Sequence, residues 1–224
     1  MIRARIRDPQ QVSKLYTRLS KIYDLFTDHE LRHHRKAIEL GEIGEGDMVL
    51  EVAVGTGRAL LEIARRVGEH GRVCGLDLTE AMLKIAEAKL RKASLLDRVE
   101  LAQGSAFSLP YEDDKFDVVY NAYMLDLIDT PQIPQVLLEL KRVLRPGGKV
   151  VLVNMSKNTD RKTLIELLYE KGLVTYGNCR PVLGKPLVEQ AGFTNTSRTY
   201  RRNFSWSVLN LLAGTEIVVP NKPI

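Results

Sequence analysis

The chain has 224 residues, 44% of them hydrophobic and 27% charged. That is one domain with a modest appendage and a substantial core, which excludes intrinsic disorder and the disulfide-stapled miniature class. The 33 Lys and Arg against 28 Asp and Glu give +5, which permits an anionic partner but lacks the clustered basic face of a nucleic-acid binder. Cys74 and Cys179 stand far apart, without Cys-x-x-Cys or His/Cys ligand spacing, so no disulfide framework and no metal site are expected, and a cytoplasmic location is. The opening MIRARIRDPQ lacks the apolar run of a signal peptide, and no stretch of ~18 apolar residues could span a bilayer.

In chain order, residues 10–40 read as one or two helices, with Val12, Leu15, Tyr16, Leu19, Ile22, Tyr23 and Phe26 at spacings of three and four. Gly41–Asp47 breaks the helix. Met48–Val54 is a strand running into Gly55-Thr56-Gly57, and Arg58–Val67 a helix. Arg72–Leu76 is a strand ending at Asp77, and Thr79 is placed to cap the helix Glu80–Lys92 through its hydroxyl. Val99–Gln103 and Phe116–Asn121 are further strands. Pro131–Leu144 is a helix stopped by Arg145-Pro146-Gly147-Gly148, and Lys149–Asn154 is the next strand. Beyond it, Asp160–Lys171 and Leu183–Gln190 read as helices, while Asn195–Phe204 and Glu216–Val219 are strands suited to an antiparallel pair at the sheet edge. Alternating strands and helices at this spacing predict an α/β fold: a doubly wound, mostly parallel sheet covered on both faces.

Ligands of such sheets sit beyond the carboxyl ends of the strands, where strand order reverses. The first strand ends in VLEVAVGTG, where Gly55 and Gly57 allow close backbone approach ahead of a helix N-terminus. A Gly-x-Gly alone describes a plain turn equally well. Glu51 adds information, because a buried carboxylate needs a partner: a ligand ammonium would supply one, whereas a pyrophosphate would repel it. Asp77 lies 20 residues beyond Gly57, the ~20-residue gap to a ribose-binding acid. Its alternative role is a helix N-cap. After the third strand, Ser105 offers a backbone N–H and a hydroxyl to an adenine edge, with Phe107 or Leu78 against the face. Asn121, at the end of the fourth, could meet the amino-acid end of the same ligand.

The motifs VLEVAVGTG (49–57), GLDLTEAML (75–83), GSAFSLPYEDDKFDVVY (104–120) and LKRVLRPGGKVVLV (140–153) together resemble the class I S-adenosylmethionine-dependent methyltransferases over residues 12–155. Tyr23-Asp24 and SLPYEDDKFD are similar to the group containing the ubiquinone/menaquinone-biosynthesis C-methyltransferases and the bacterial phospholipid N-methyltransferases. The resemblance implies a seven-stranded Rossmann-like domain over 41–224 beneath an N-terminal helical lid over 1–40. It implies S-adenosylmethionine as cofactor, contacted by Glu51, Ala53, Gly55, Thr56, Gly57, Asp77, Leu78, Met82, Ser105, Ala106, Phe107, Asn121 and Tyr23. Ala53 stands where the family usually has Gly, and Ser105 where an adenine-side acid is common. The segment between Asn154 and Leu183 does not follow the quinone enzymes.

The implied reaction is displacement at a sulfonium methyl, for which the protein orients the acceptor and, where needed, supplies a base. His29, His33, Tyr123 and Asp126 are the candidates, and His34 stands beside them. Against this, HELRHHRK also reads as a solvated helix face, and Tyr16, Tyr23 and Phe26 as packing rather than acceptor pocket. The acceptor implied is a small or lipidic molecule, a quinone precursor or phospholipid. Arg3, Arg5 and Arg7 with Arg198, Arg201 and Arg202 could favour an anionic molecule or a membrane surface. Two other readings stay open: an NAD(P)-dependent oxidoreductase, disfavoured by Leu60 where its fingerprint wants a third glycine, and a cofactor-binding module without catalysis.

Overall fold

The computed structural model describes residues 9–19, 30–158, 167, 171, 181–202 and 214–224. Seven strands form one sheet: β1 (Met48–Val52), β2 (Arg72–Asp77), β3 (Val99–Gln103), β4 (Phe116–Ala122), β5 (Leu144–Ser156), β6 (Thr194–Arg202) and β7 (Gly214–Asn221). Their order is β3-β2-β1-β4-β5-β7-β6, with β7 antiparallel to both its neighbours and the remaining pairs parallel. The edge is thus antiparallel as anticipated. Its last strand in sequence is inserted between β5 and β6, an order that no local pattern announces.

Strands buried on both faces read as continuous apolar runs, as Val150–Val153 does, whereas the run Val49–Val52 is interrupted by the buried Glu51. Helices α2 (Leu31–Leu40), α3 (Arg58–Arg66) and α4 (Glu80–Lys92) cover one face around Leu60, Ile63 and Leu90. Helices α5 (Ile133–Val143) and α6 (Gly184–Gln190) cover the other around Leu137, Leu140 and Val188. Helix α1 (Pro9–Leu19) lies against α4. Ala37 and Ile38 of α2 belong to the sheet core, and a Cβ on Gly41 would come within 2.4 Å of the Val151 side chain. Helix α2 thus packs into the core of the domain on one face of the sheet.

Two local expectations are corrected. The helix does stop ahead of RPGG, at Val143, but the strand begins at Leu144 rather than Lys149: Leu144 pairs with Phe116, the register slips, and pairing resumes at Lys149 with Val118. Gly147 (φ +75°) makes that bulge possible, and its N–H donates to the Lys222 carbonyl at 3.0 Å. Thr79 does begin α4, since its carbonyl accepts the Met82 N–H, but its side chain makes no cap hydrogen bond. The Asp160–Lys171 helix lies outside the described residues apart from Leu167 and Lys171, as do Tyr23, Phe26, His29, Cys179 and Phe204. Among the described residues, no helix is long and apolar enough to cross a membrane.

Candidate active site

Between β1 and β4 the strand order reverses, and a cleft of about 1020 Å³, open mouth included, lies over the carboxyl ends of the strands there. Its walls bring together Ala53, Gly55, Asp77, Leu78, Met82, Ser105, Ala106, Phe107 and Tyr123 from the sequence-derived set, together with Tyr16 of α1. Ala122, Met124, Leu127, Ile128, Asp129 and Gln132 also line it. Ala122 ends β4, and the others come from the turns between β4 and α5, which carry no periodicity. The rule that strand ends hold the ligand would have found them, had it been applied to the whole loop after β4.

Asp77 is 8% exposed, and its two oxygens accept the Gly55 and Thr79 N–H groups at 2.8 Å each. Burial raises the carboxyl above its ordinary range, and those hydrogen bonds oppose the rise. Each oxygen keeps a second lone pair for a ligand hydroxyl. Two residues before Ala53, Glu51 is 2% exposed and its Oε2 has no hydrogen-bond partner. Burial, with the Asp77 charge adding to it, pushes the Glu51 carboxyl well above the ordinary carboxylate range. Glu51 is not among the residues that line the cleft, which it adjoins through Val52 and Ala53; its unpartnered buried oxygen is one that a cation could satisfy.

The two glycines of the loop do different work. A Cβ at Gly55 (φ +55°) would meet nothing within 4 Å, so its bare backbone borders the cleft. A Cβ at Gly57 (φ +82°) would strike Ala86 Cβ at 2.8 Å, so this glycine serves the packing of α3 on α4 rather than the approach of a ligand. Thr56, buried, and Gly57 do not line the cleft. Ala53 has φ +63°, where a Cβ is strained. Ala53→Gly should therefore raise stability by about 0.5–1 kcal/mol, read as an increased denaturant midpoint at unchanged slope. An unchanged or lowered midpoint would count against strain at this position.

Asn121 is fully buried and does not face the cleft: its Nδ2 donates to the Val52 carbonyl at 2.7 Å, tying β4 to β1 underneath. Asp126 is likewise fully buried, and its Oδ2 accepts the Met155 N–H at 2.8 Å, fastening the Leu125–Leu127 turn to β5. That is a positioning contact behind the wall. The Ser105 Oγ accepts the Phe107 N–H at 3.2 Å, which folds the loop that carries both residues.

The solvated reading of HELRHHRK is wrong for His33 and His34, which are 4% and 5% exposed. The Nδ1 of His33 lies 2.9 Å from the Tyr123 hydroxyl, and that of His34 2.8 Å from the Tyr120 hydroxyl. Burial, then the charges of His33 and Arg58, lower the His34 pKa to about 3. The unfolded chain takes up a proton near pH 6.5 that the folded one refuses until about pH 3, so stability falls as pH drops through that window, by about 1.4 kcal/mol per unit. His34→Phe should cost about 1–3 kcal/mol at pH 7, where it orphans the Tyr120 hydroxyl. The difference from wild type should shrink and reverse as pH approaches 3, as measured by denaturant unfolding across pH. A constant difference would contradict a neutral buried His34.

Residues 49–148 match a methyltransferase domain. The chain is 32% identical over 198 residues to a demethylmenaquinone methyltransferase of Lactobacillus johnsonii, covering 85% of this chain and 79% of that protein. This chain belongs to the class I S-adenosylmethionine-dependent methyltransferases. A second demethylmenaquinone methyltransferase, from Lactococcus lactis, is 35% identical over 184 residues, 79% of this methyltransferase and 69% of the relative. The ubiquinone/menaquinone biosynthesis C-methyltransferase of Teredinibacter turnerae is 32% identical over 188 residues, 81% and 72% of the two chains. Among solved structures, the [4+2]-cyclase SpnF superposes with TM-score 0.79 over 100% of this methyltransferase and 99% of its own chain at 19% identity. A methyltransferase of Aquifex aeolicus gives 0.65 over 97% and 100% at 22% identity. These two likenesses bear on the fold alone.

Three features of the methyltransferase's own site fit S-adenosylmethionine: the orphaned Glu51 carboxyl, the open space over Gly55, and Asp77 lining the cleft.

Proposed function

We propose that this methyltransferase transfers a methyl group to a ring carbon of a demethylated quinol, with Asp77 holding the ribose hydroxyls of its cofactor, Glu51 facing the cofactor's ammonium group, and Tyr123 backed by His33 accepting a proton from the acceptor. The observation that carries the reading is Tyr123: it lines the cleft at the end of β4 with its hydroxyl 2.9 Å from His33 Nδ1. The relatives' names, demethylmenaquinone methyltransferase and ubiquinone/menaquinone biosynthesis C-methyltransferase, support the acceptor class.

When bound, S-adenosylmethionine supplies an electrophilic methyl on a leaving group that needs no acid. The protein's part is to orient the acceptor and manage its protons. Taking the proton from a quinol hydroxyl raises electron density at the neighbouring ring carbon. Tyr123 receives that proton as its own passes to His33 Nδ1, the tautomer with a free Nδ1 lone pair being the competent one. Once the new carbon–carbon bond has formed, the ring carbon loses its own proton and one returns to the oxygen, which restores the aromatic ring. Tyr123 holds φ +54°, uncommon for a residue with a Cβ, and its N–H is fixed to the Val153 carbonyl at 2.7 Å. The apolar wall of Phe107, Met124, Leu127 and Ile128 suits an aromatic ring with an isoprenoid tail. Tyr16 brings α1 to the mouth, so α1 is placed to serve as the lid. A cytoplasmic enzyme meeting its acceptor at the membrane surface fits this reading.

Incubation with methyl-labelled cofactor and either reduced demethylmenaquinone or phosphatidylethanolamine vesicles tests the proposal. Label on the quinol ring carbon is the expected result; label on the lipid nitrogen, or on neither acceptor, would overturn it.

A further inference from the structure

A second cavity of about 440 Å³, its mouth included, lies between α2 and the β6–β7 edge. Arg32, His33 and Lys36 border it from α2, Thr199 and Arg201 from β6, and Thr215 from β7. Local geometry dictates this convergence. Arg32 and Lys36 are four apart on a helix and share a face. Thr199 and Arg201 are two apart on a strand and share the other wall, with Thr215 directly across from Arg201.

Three cations meet here without a carboxylate in the lining. The contrast with Arg198 is informative. That residue points to the opposite face of β6, where its Nε lies 2.6 Å from Glu216 Oε2 and its Nη2 donates to the Lys157 carbonyl at 2.7 Å. Arg198 is therefore structural and not available to an outside anion. Among the described residues, Arg32 and Arg201 form no ion pair, and Lys36 meets only Glu39, in an exposed pair at 2.9 Å. Like charges this close repel unless a counter-charge sits among them.

We propose that this cavity binds a phosphate-class oxyanion, with the guanidinium groups of Arg32 and Arg201 as forked donors, Lys36 as a point charge and Thr199 as a hydroxyl donor. Planar guanidinium groups match tetrahedral oxyanions through paired N–H···O bonds, which gives geometric preference as well as charge. The cavity is linked to the reaction cleft through one residue. His33 borders the cavity, its Nδ1 contacts the Tyr123 hydroxyl at 2.9 Å, and Tyr123 lines the cleft. Thr215 Oγ1 stands 3.5 Å from the same hydroxyl. An occupant thus sits two side chains from the reacting groups. Free phosphate and the phosphodiester headgroup of an anionic lipid present the same chemistry. The binding site itself does not depend on which acceptor the enzyme methylates.

The test is calorimetric titration of the full chain with inorganic phosphate, beside co-sedimentation with phosphatidylglycerol vesicles, with S-adenosylhomocysteine titration as the control for an intact fold. The expected result is one saturable event per chain, weakened about tenfold by Arg32→Gln and again by Arg201→Gln, with S-adenosylhomocysteine affinity unchanged. Arg35→Gln, which alters an exposed arginine paired with Glu62, should leave it intact. Saturation by phosphate identifies the free anion as the source. Binding to vesicles alone, lost in the same variants, identifies the headgroup. The proposal is overturned if neither probe binds, or if the Arg32→Gln/Arg201→Gln double variant binds as well as wild type.

Discussion

Asp77→Ala should weaken S-adenosylhomocysteine binding at least 100- to 1000-fold, about 3–4 kcal/mol, because two ribose hydroxyls lose a charged acceptor at once. A second loss adds to the first. The same carboxylate fixes the Gly55 and Thr79 N–H groups at 2.8 Å, so its removal also frees the loop over which the cofactor lies. Asp77→Asn grades the two effects. It keeps one of the two backbone acceptors and sets a donor against the other N–H, so the loop should loosen in part and affinity fall about tenfold. Calorimetric titration of both variants, with thermal unfolding to show that each folds, reads the result. Affinity within threefold of wild type in Asp77→Ala would reject the ribose assignment and leave Asp77 as a loop anchor alone.

Tyr123→Phe should lower turnover by about 100- to 1000-fold, the usual range for loss of a positioned proton acceptor, and leave S-adenosylhomocysteine affinity within about threefold. The ring that packs in the wall is retained, so the change isolates the hydroxyl. His33→Asn should fall by a similar factor, and the double variant little further, since the two side chains act as one unit through their 2.9 Å contact. Single-turnover kinetics with labelled cofactor measures the step directly. Full turnover in Tyr123→Phe would place the proton acceptor elsewhere.

The parallel sheet and the cleft's floor were legible because their signals are local. Apolar runs such as Val150–Val153 mark buried strands, and an acid at the end of β2 marks a ligand hydroxyl site. What each loop residue does was not legible. Gly55 and Gly57 look alike in sequence, yet one borders open space and the other makes room for Ala86, a residue 29 positions away. Asn121 and Asp126 carry chemistry-bearing side chains that the fold spends on the Val52 carbonyl and the Met155 N–H. HELRHHRK reads as a solvated face because the partners of the buried His33 and His34, Tyr123 and Tyr120, stand more than eighty positions later. The basic cavity is hidden for the same reason. Arg32 and Arg201 meet across the sheet edge, and no spacing rule joins them.

In the proposed function, the cleft between β1 and β4 receives an adenosyl amino acid whose ammonium group faces Glu51. Titration of S-adenosylhomocysteine in buffers of differing ionisation enthalpy tests it most directly. The buried Glu51 carboxyl, which holds its proton beyond the ordinary range, must give that proton up when a cation pairs with it. Tight binding with proton release that Glu51→Gln abolishes, and no binding of NAD, is the predicted result. Tight binding of NAD with none of S-adenosylhomocysteine, or proton release unchanged in Glu51→Gln, would contradict it.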